Sequence, residues 1–190
     1  HYHRKGERLM ETIGFLELNS IAKGIEAADA MLKAAEVRLI AARPSCPGKY
    51  HVLITGEVAA VQSSVDAGAA VGAGNVVDQV VIPRVHPQVI EAIGMSTVPE
   101  RANAVGILEY FSVTASIQGA DAAVKAADVT LIEVRLGTGI GGKSYVVMTG
   151  DVAAVNEGVA AGAAGAEETG LLVSQVVIPS PHLELFQNLY

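Results

Sequence analysis

The sequence predicts an α/β protein made of two tandem copies of one small α+β sandwich, each a sheet with helices packed on it. Three observations predict it. The chain repeats itself: "IGFLEL" (13–18) returns as "VGILEY" (105–110), and "AADAMLKAAEVRLI" (27–40) as "GADAAVKAADVTLI" (119–132), both 92 positions later. "TGEVAAVQ" (55–62) returns as "TGDVAAVN" (149–156) at an offset of 94, and "VVIPRVH" (80–86) as "VVIPSPH" (176–182) at 96. A period of about 90 residues seen twice is a domain duplication rather than a solenoid. Within each copy, strand-like and helix-like patterns alternate. Finally, 51% of the residues are hydrophobic but only 4% are aromatic, with no tryptophan, so the core must be built from small side chains that let backbones approach closely.

The elements follow in order. Residues 1–11 open with "HYHRKGERL", a polar extension or tag remnant with no apolar stretch suited to a signal peptide. The first domain is expected at 12–94 and the second at 104–190, joined by a linker at 95–103 that contains "MSTVPER" with Pro99 as its breaker. Each copy begins with an apolar strand (13–18; 105–110). A helix follows, with Ile25, Ala28, Leu32 and Ala35 at helical spacing, matched by Ile117, Ala120, Val124 and Ala127. Next come a strand (37–42; 129–136), a loop that differs between copies, and a returning strand (50–55; 144–149). A second Ala-rich helix opens near Glu57 or Asp151, where a carboxylate suits the positive end of the helix dipole. A last strand (76–82; 171–178) is expected to end at its proline.

Bulk properties narrow the function. A net charge of −7 argues against nucleic acid as a partner, because phosphate binding needs a concentrated basic surface. One cysteine excludes an intrachain disulfide and fits a reducing compartment. No apolar run is long enough to read as a membrane span.

The change of offset from 92 to 94 falls where "RPSCPGK" (43–49) stands against "RLGTGIGGK" (135–143). The copies thus agree on scaffold and differ at this loop. Gly137 to Ser144 matches G-x-x-x-x-G-K-[ST], which would place Lys143 on a nucleotide phosphate. That motif needs a helix after the loop, and the β-rich "SYVVMTG" follows instead, so a glycine hairpin is the better reading. The paired carboxylates Glu17/Glu109, Asp29/Asp121 and Glu57/Asp151 recur in both copies and read as scaffold. His86 and His182 match one another after the Ile-Pro turn; a turn or interface role is favoured over a metal. Lys33 and Lys125 read as exposed helix lysines. Cys46 sits among turn-forming residues, which usually face solvent, although a lone cysteine is usually a small buried hydrophobe. One thiolate cannot hold an iron–sulfur cluster, but a loop on a threefold axis would bring three together.

"AADAMLKAAEV" with "GADAAVKAADV", "GEVAAV" with "GDVAAV", and "VIPRVH" with "VIPSPH" resemble the shell-protein domain of bacterial microcompartments, over about residues 12–187. The resemblance implies two tandem ferredoxin-like shell domains and a homotrimer that imitates a hexameric disc. Its pore would be lined by Ser45, Cys46, Pro47, Gly48, Gly139, Ile140 and Gly141. The similarity of "ELNSIAKGIEAADAMLKAAEV" and "CPGK" to tandem-domain members further implies one [4Fe–4S] cluster per trimer, ligated by Cys46 on the axis. Lys33, Lys125 and Arg84 would then make lateral edge contacts with other shell proteins; Ser180 replaces arginine in the second copy. The expected role is structural rather than enzymatic, in the shell within the bacterial cytoplasm, with electron transfer across the shell and an encapsulated redox enzyme as partner. The alternatives are a shell trimer without a cluster whose pore passes a small metabolite, a P-loop NTPase using Lys143, and a small ferredoxin-like signalling protein.

Overall fold

The computed structural model describes residues 10–45, 47–94, 103–137 and 143–189. The first copy contains β1 (Glu11–Leu18), α1 (Ile21–Ala34), β2 (Arg38–Ser45), β3 (Lys49–Gly56), α2 (Val58–Gly72), β4 (Val76–Val85) and α3 (Pro87–Gly94). The second contains β5 (Ala104–Tyr110), α4 (Val113–Ala126), β6 (Thr130–Arg135), β7 (Ser144–Gly150), α5 (Val152–Glu168), β8 (Leu172–Pro179) and the short α6 (Leu183–Phe186). Each copy forms a four-stranded antiparallel sheet, in the orders β2-β3-β1-β4 and β6-β7-β5-β8.

Alternation along β1 sets the layers. Leu16 and Leu18 point towards α1 and α2 and pack with Met31, Val61 and Val65. Ile13, Phe15 and Glu17 point to the other face, where Ile13 and Phe15 join a core shared with α3. The first helix of each copy starts at a serine N-cap: Ser20 Oγ accepts from Lys23 N–H at 3.2 Å, and Ser112 Oγ from Ala115 N–H at 3.0 Å. Glu57 and Asp151 occupy the N-cap positions of α2 and α5 without a side-chain cap bond.

The small-residue composition has a definite use between α4 and α5. A Cβ at Gly119 would collide with the Tyr110 hydroxyl, and one at Gly162 would lie 2.5 Å from Leu108 Cδ1. Each would also lie 3.0 Å from the other glycine's carbonyl oxygen, so the two helices touch backbone to backbone. The Tyr110 hydroxyl donates to the Gly162 carbonyl at 2.8 Å, and burial raises its pKa.

Two features depart from the expected element pattern. β4 does not stop at Pro83; it continues to Val85. The register against β1 jumps between Ile13↔Ile82 and Glu11↔Val85, so a bulge absorbs the missing proline N–H. Arg84 and Ser180 hold positive φ of 58° and 50° at matching places, so the tight turn belongs to the fold rather than to either side chain. The short helices after these turns, α3 and α6, went unforeseen. Pro87 at the first helical position and the spacing of Val89, Ile90 and Ile93 are the signals that mark α3.

The joint between the copies forms where this turn meets α4 and β6. His86 N–H donates to Asp121 Oδ1 at 2.8 Å, Lys125 Nζ donates to the Arg84 carbonyl at 2.8 Å, and Leu131 N–H donates to Gln88 Oε1 at 2.5 Å. Val89 and Ile90 lie in one continuous apolar cluster with Ile117 and Leu131.

The glycine contact yields a paired prediction. Gly162→Ala should lower stability by ~1–3 kcal/mol through overpacking, read as a lower urea midpoint at unchanged slope. Gly165→Ala, where nothing lies within 4 Å of the new methyl, should instead gain up to about 1 kcal/mol of helix propensity.

Candidate functional site

The loop joining β2 to β3 runs from Ser45 to Lys49, with Pro47 and Gly48 in its turn and Gly48 at a φ of 64° that suits glycine. Cys46 lies outside the described residues, as do Gly139, Ile140 and Gly141 of the second loop. Ser144 begins β7 directly after Lys143, so the strand-loop-helix order of a phosphate-binding loop is absent. Lys143 Nζ instead lies 6.0 Å from the Phe111 ring centroid.

Behind the first loop, the sheet face turned away from α1 and α2 carries a polar cluster. Glu17 on β1 and His51 on β3 are directly opposite in the ladder. His51 Nε2–H donates to Glu17 Oε2 at 2.6 Å, and Ser45 Oγ lies 3.1 Å from the same nitrogen. Lys49 Nζ pairs with Glu17 Oε1 at 3.3 Å. The Phe15 ring meets the imidazole edge to face, with centroids 5.3 Å apart at 68°. The hydrogen bond from His51 holds the Glu17 carboxyl below its ordinary value; burial opposes this, and the charges of His51 and Lys49 assist it. Serine, histidine and a carboxylate thus stand together, but both partners use Nε2. A nucleophile relay needs the serine and the acid on opposite ring nitrogens, so this set anchors rather than attacks.

Sequence reasoning placed Glu17 among scaffold carboxylates and passed over His51. The available signal was that Glu17 interrupts the apolar run 13–18 of β1 and His51 the apolar run 50–54 of β3. The matching positions of the second copy are Gly137, Tyr145 and Glu109, and the polar contact there is different. Arg135 Nε donates to Glu133 Oε1 at 2.6 Å, and this bond raises the Arg135 pKa. Burial raises that of Tyr145.

The remaining singled-out residues fall at the joint or its counterpart. Lys33 pairs with Asp29 at 2.6 Å and is well exposed. Lys125 pairs with Asp121 and caps the Arg84 carbonyl. His86 Nδ1 accepts from Gln88 N–H at 3.1 Å, and His182 Nδ1 from Glu184 N–H at 3.2 Å, so both rings brace the start of the following helix. Among the described residues, no group of three or more His, Cys, Asp or Glu is arranged to hold a metal ion.

Matched residues of the two copies differ sharply in exposure. Ile117, under the first copy, is 0% exposed, whereas its match Ile25 is 55% exposed. Leu131 is 2% exposed and Leu39 is 40%; Val89 is 0% exposed and Leu185 is 48%. The first copy therefore presents a bare version of the seat that the second copy has filled, and α6 presents a bare version of the plug.

This architecture has relatives. The BMC domain family matches residues 12–85 and again 104–181. The chain belongs to the BMC-domain family of bacterial microcompartment shell proteins. It is 46% identical over 182 residues to the bacterial microcompartment shell protein PduT of Citrobacter freundii, covering 95% of this chain and 98% of that one. Over 89 residues it is 38% identical to the shell protein EutM of Salmonella typhimurium, covering 46% of this chain and 93% of EutM. EutM therefore corresponds to about one copy, and PduT to both. A crystal structure of a microcompartment protein from Desulfitobacterium hafniense superimposes with a TM-score of 0.90 at 57% identity, covering 94% of this chain and 99% of that one. No helix among the described residues of this BMC-domain chain is long and apolar enough to cross a membrane.

The Glu17–His51 bond predicts a pH signature. Because the folded carboxyl is lowered, it stabilises the fold above its ordinary value near 4.5 and loses that contribution as pH falls through the lowered one. Glu17→Gln should melt below wild type at pH 7, and the gap should close under increasingly acid conditions, as read by circular dichroism.

Proposed function

We propose that the chain is a structural, non-enzymatic subunit of a microcompartment shell, closing with two further copies into a ring of six domains. The observation that carries this is the unequal exposure of matched surfaces. On α4, the line Val113, Ile117, Asp121 and Lys125 faces the first copy; the matching line Ile21, Ile25, Asp29 and Lys33 on α1 faces solvent. Burying an isoleucine or leucine side chain contributes ~1.5–3 kcal/mol, so a cluster of bare ones seeks a cover. The cover that fits is the turn and α6 of another copy, which repeat the geometry of the turn and α3. His182 N–H would then meet Asp29, the Ser180 carbonyl would meet Lys33, and Glu184 would meet the Leu39 N–H. Two domains per chain close a six-domain ring with three chains. Lys33, Lys125 and Arg84 remain candidates for edge contacts with other shell proteins, Lys125 and Arg84 through the groups their mutual bond leaves free.

In this ring the three Cys46 residues meet on the axis and seat one [4Fe–4S] cluster. The donor chemistry fits: such clusters use thiolate ligands, three copies supply three, and one iron is left for water or an outside ligand. Ser45 and Lys49 bracket the cysteine at the end of the sheet, and the Pro47–Gly48 turn fits a tight loop around it. The likeness to PduT over nearly the whole chain supports the tandem-domain reading. Bound there, the cluster supplies one-electron chemistry, suited to passing electrons across the shell to an encapsulated redox enzyme. This chain's part is to present the thiolates and hold their loop. The second reading, a cluster-free pore that passes a small metabolite, makes the opposite prediction for iron.

Two experiments test these statements separately. Light scattering should give three times the chain mass for wild type, whereas Ile25→Glu or Leu185→Glu should give folded monomer; trimers of both variants would refute the interface. Anaerobically prepared wild type should contain iron and sulfide and absorb broadly near 400 nm, and Cys46→Ser should lose both with the trimer intact. Wild type free of iron and sulfide would favour the metabolite pore.

A further inference from the structure

Ser45, His51 and Glu17 stand side by side on β2, β3 and β1, three neighbouring strands of one sheet face. Ser45 is the last residue of β2 and immediately precedes Cys46. An ionised Glu17 at 2.6 Å requires a proton on His51 Nε2, and this leaves Nδ1 on the free side of the ring. That side meets the second copy: a Cβ on Gly137 would overlap His51 Cε1 and lie 2.9 Å from Nδ1. Gly137 sits just after β6, at the root of the second loop, with φ of 60°. One buried imidazole therefore touches the residue before the cysteine, the central strand and the root of the neighbouring loop. The second copy, which has no cysteine, has tyrosine at the matching position and glycine in place of Ser45. Charged groups around the ring are Glu17 from β1, Lys49 from the start of β3 and Arg43 on β2, the ladder partner of His51.

We propose that His51 is a positioning residue for the Cys46 loop, fixing Ser45 against Glu17 and setting the loop's root against Gly137. This rests on reading residues 45–49 as the loop that presents the thiolates. The direction in which the chain leaves β2 is then set by a three-strand clasp around the buried His51 rather than by the loop's own turn residues. The clasp also meets the second copy, where Gly137 lies against the His51 ring.

The test uses the metal-free trimer and the rate at which iodoacetamide alkylates Cys46, the sole cysteine. Ser45→Ala and His51→Phe should each raise that rate about fivefold, the factor that one lost hydrogen bond of ~1 kcal/mol allows. His51→Gln, whose amide can still donate to Glu17, should stay near wild type, and Glu109→Gln in the second copy should leave the rate unchanged. After anaerobic reconstitution, iron per trimer should fall in the two fast variants and be retained in His51→Gln. Rates within twofold of wild type for Ser45→Ala and His51→Phe, in folded trimers, would overturn the proposal. If His51→Phe fails to fold, Ser45→Ala decides, since it removes only a hydroxyl. Wild type that takes up no iron would retire the cluster while the alkylation comparison still tests the clasp.

Discussion

The turn from Pro83 to Gln88 sits on α4 and the edge of β6 through three hydrogen bonds, from His86 N–H, Lys125 Nζ and Leu131 N–H, and this seat organises the contact between the two copies. It closes Ile117 and Leu131 from water and places α3 in a core that spans both copies. It also brings Gly137 against His51. A buried backbone N–H without a partner costs ~1–3 kcal/mol, so the Asp121 carboxylate and the Gln88 carbonyl fix register as well as adding stability. The positive φ at Arg84 serves the same seat, because it turns the Arg84 carbonyl towards Lys125.

The same seat is present but bare on α1, and its plug is repeated in the turn before α6. A duplicated domain that packs against its own neighbour thus carries one filled seat and one exposed seat in each chain. The two are not chemically identical. Arg84, Gln88 and Val89 on the filled side correspond to Ser180, Glu184 and Leu185 on the open side. A carboxylate in place of the Gln88 amide makes a stronger, charge-assisted acceptor for a backbone N–H, so in the proposed ring the joint between chains need not be the weaker of the two.

Much of this was legible in the chain. The offsets of 92, 94 and 96 locate the scaffold and its insertions, and alternation in "IGFLEL" and "VGILEY" assigns each side chain to a face. The Ala- and Gly-rich helices correctly announced close packing, seen where α4 meets α5 at Gly119 and Gly162. The continuation of β4 past Pro83 was not legible, because a bulge is a property of the pair of strands and not of either sequence. The clasp was illegible for a related reason. Glu17, Ser45 and His51 are 34 and 6 residues from one another at the points of contact, and only the ladder register brings them to a single nitrogen. Recurrence of Glu17 as Glu109 argued for a scaffold role, yet the two carboxylates face a histidine in one copy and a tyrosine in the other.

Duplication explains why such differences can accumulate at all. In a ring of six identical domains, a histidine behind one loop is a histidine behind six, and a cysteine on one loop is six thiols at the axis. With two domains per chain, His86/His182, Asp121/Asp29 and Lys125/Lys33 recur in both copies, while the loop and the residues behind it can differ in one copy alone. Cys46, Ser45 and His51 all belong to the first copy, and the second answers them with a longer glycine loop whose root, Gly137, leaves room for the imidazole. A side chain at 137 would push the ring away from Glu17, since the Cβ itself overlaps it. The glycine in one copy and the histidine in the other are therefore a matched pair.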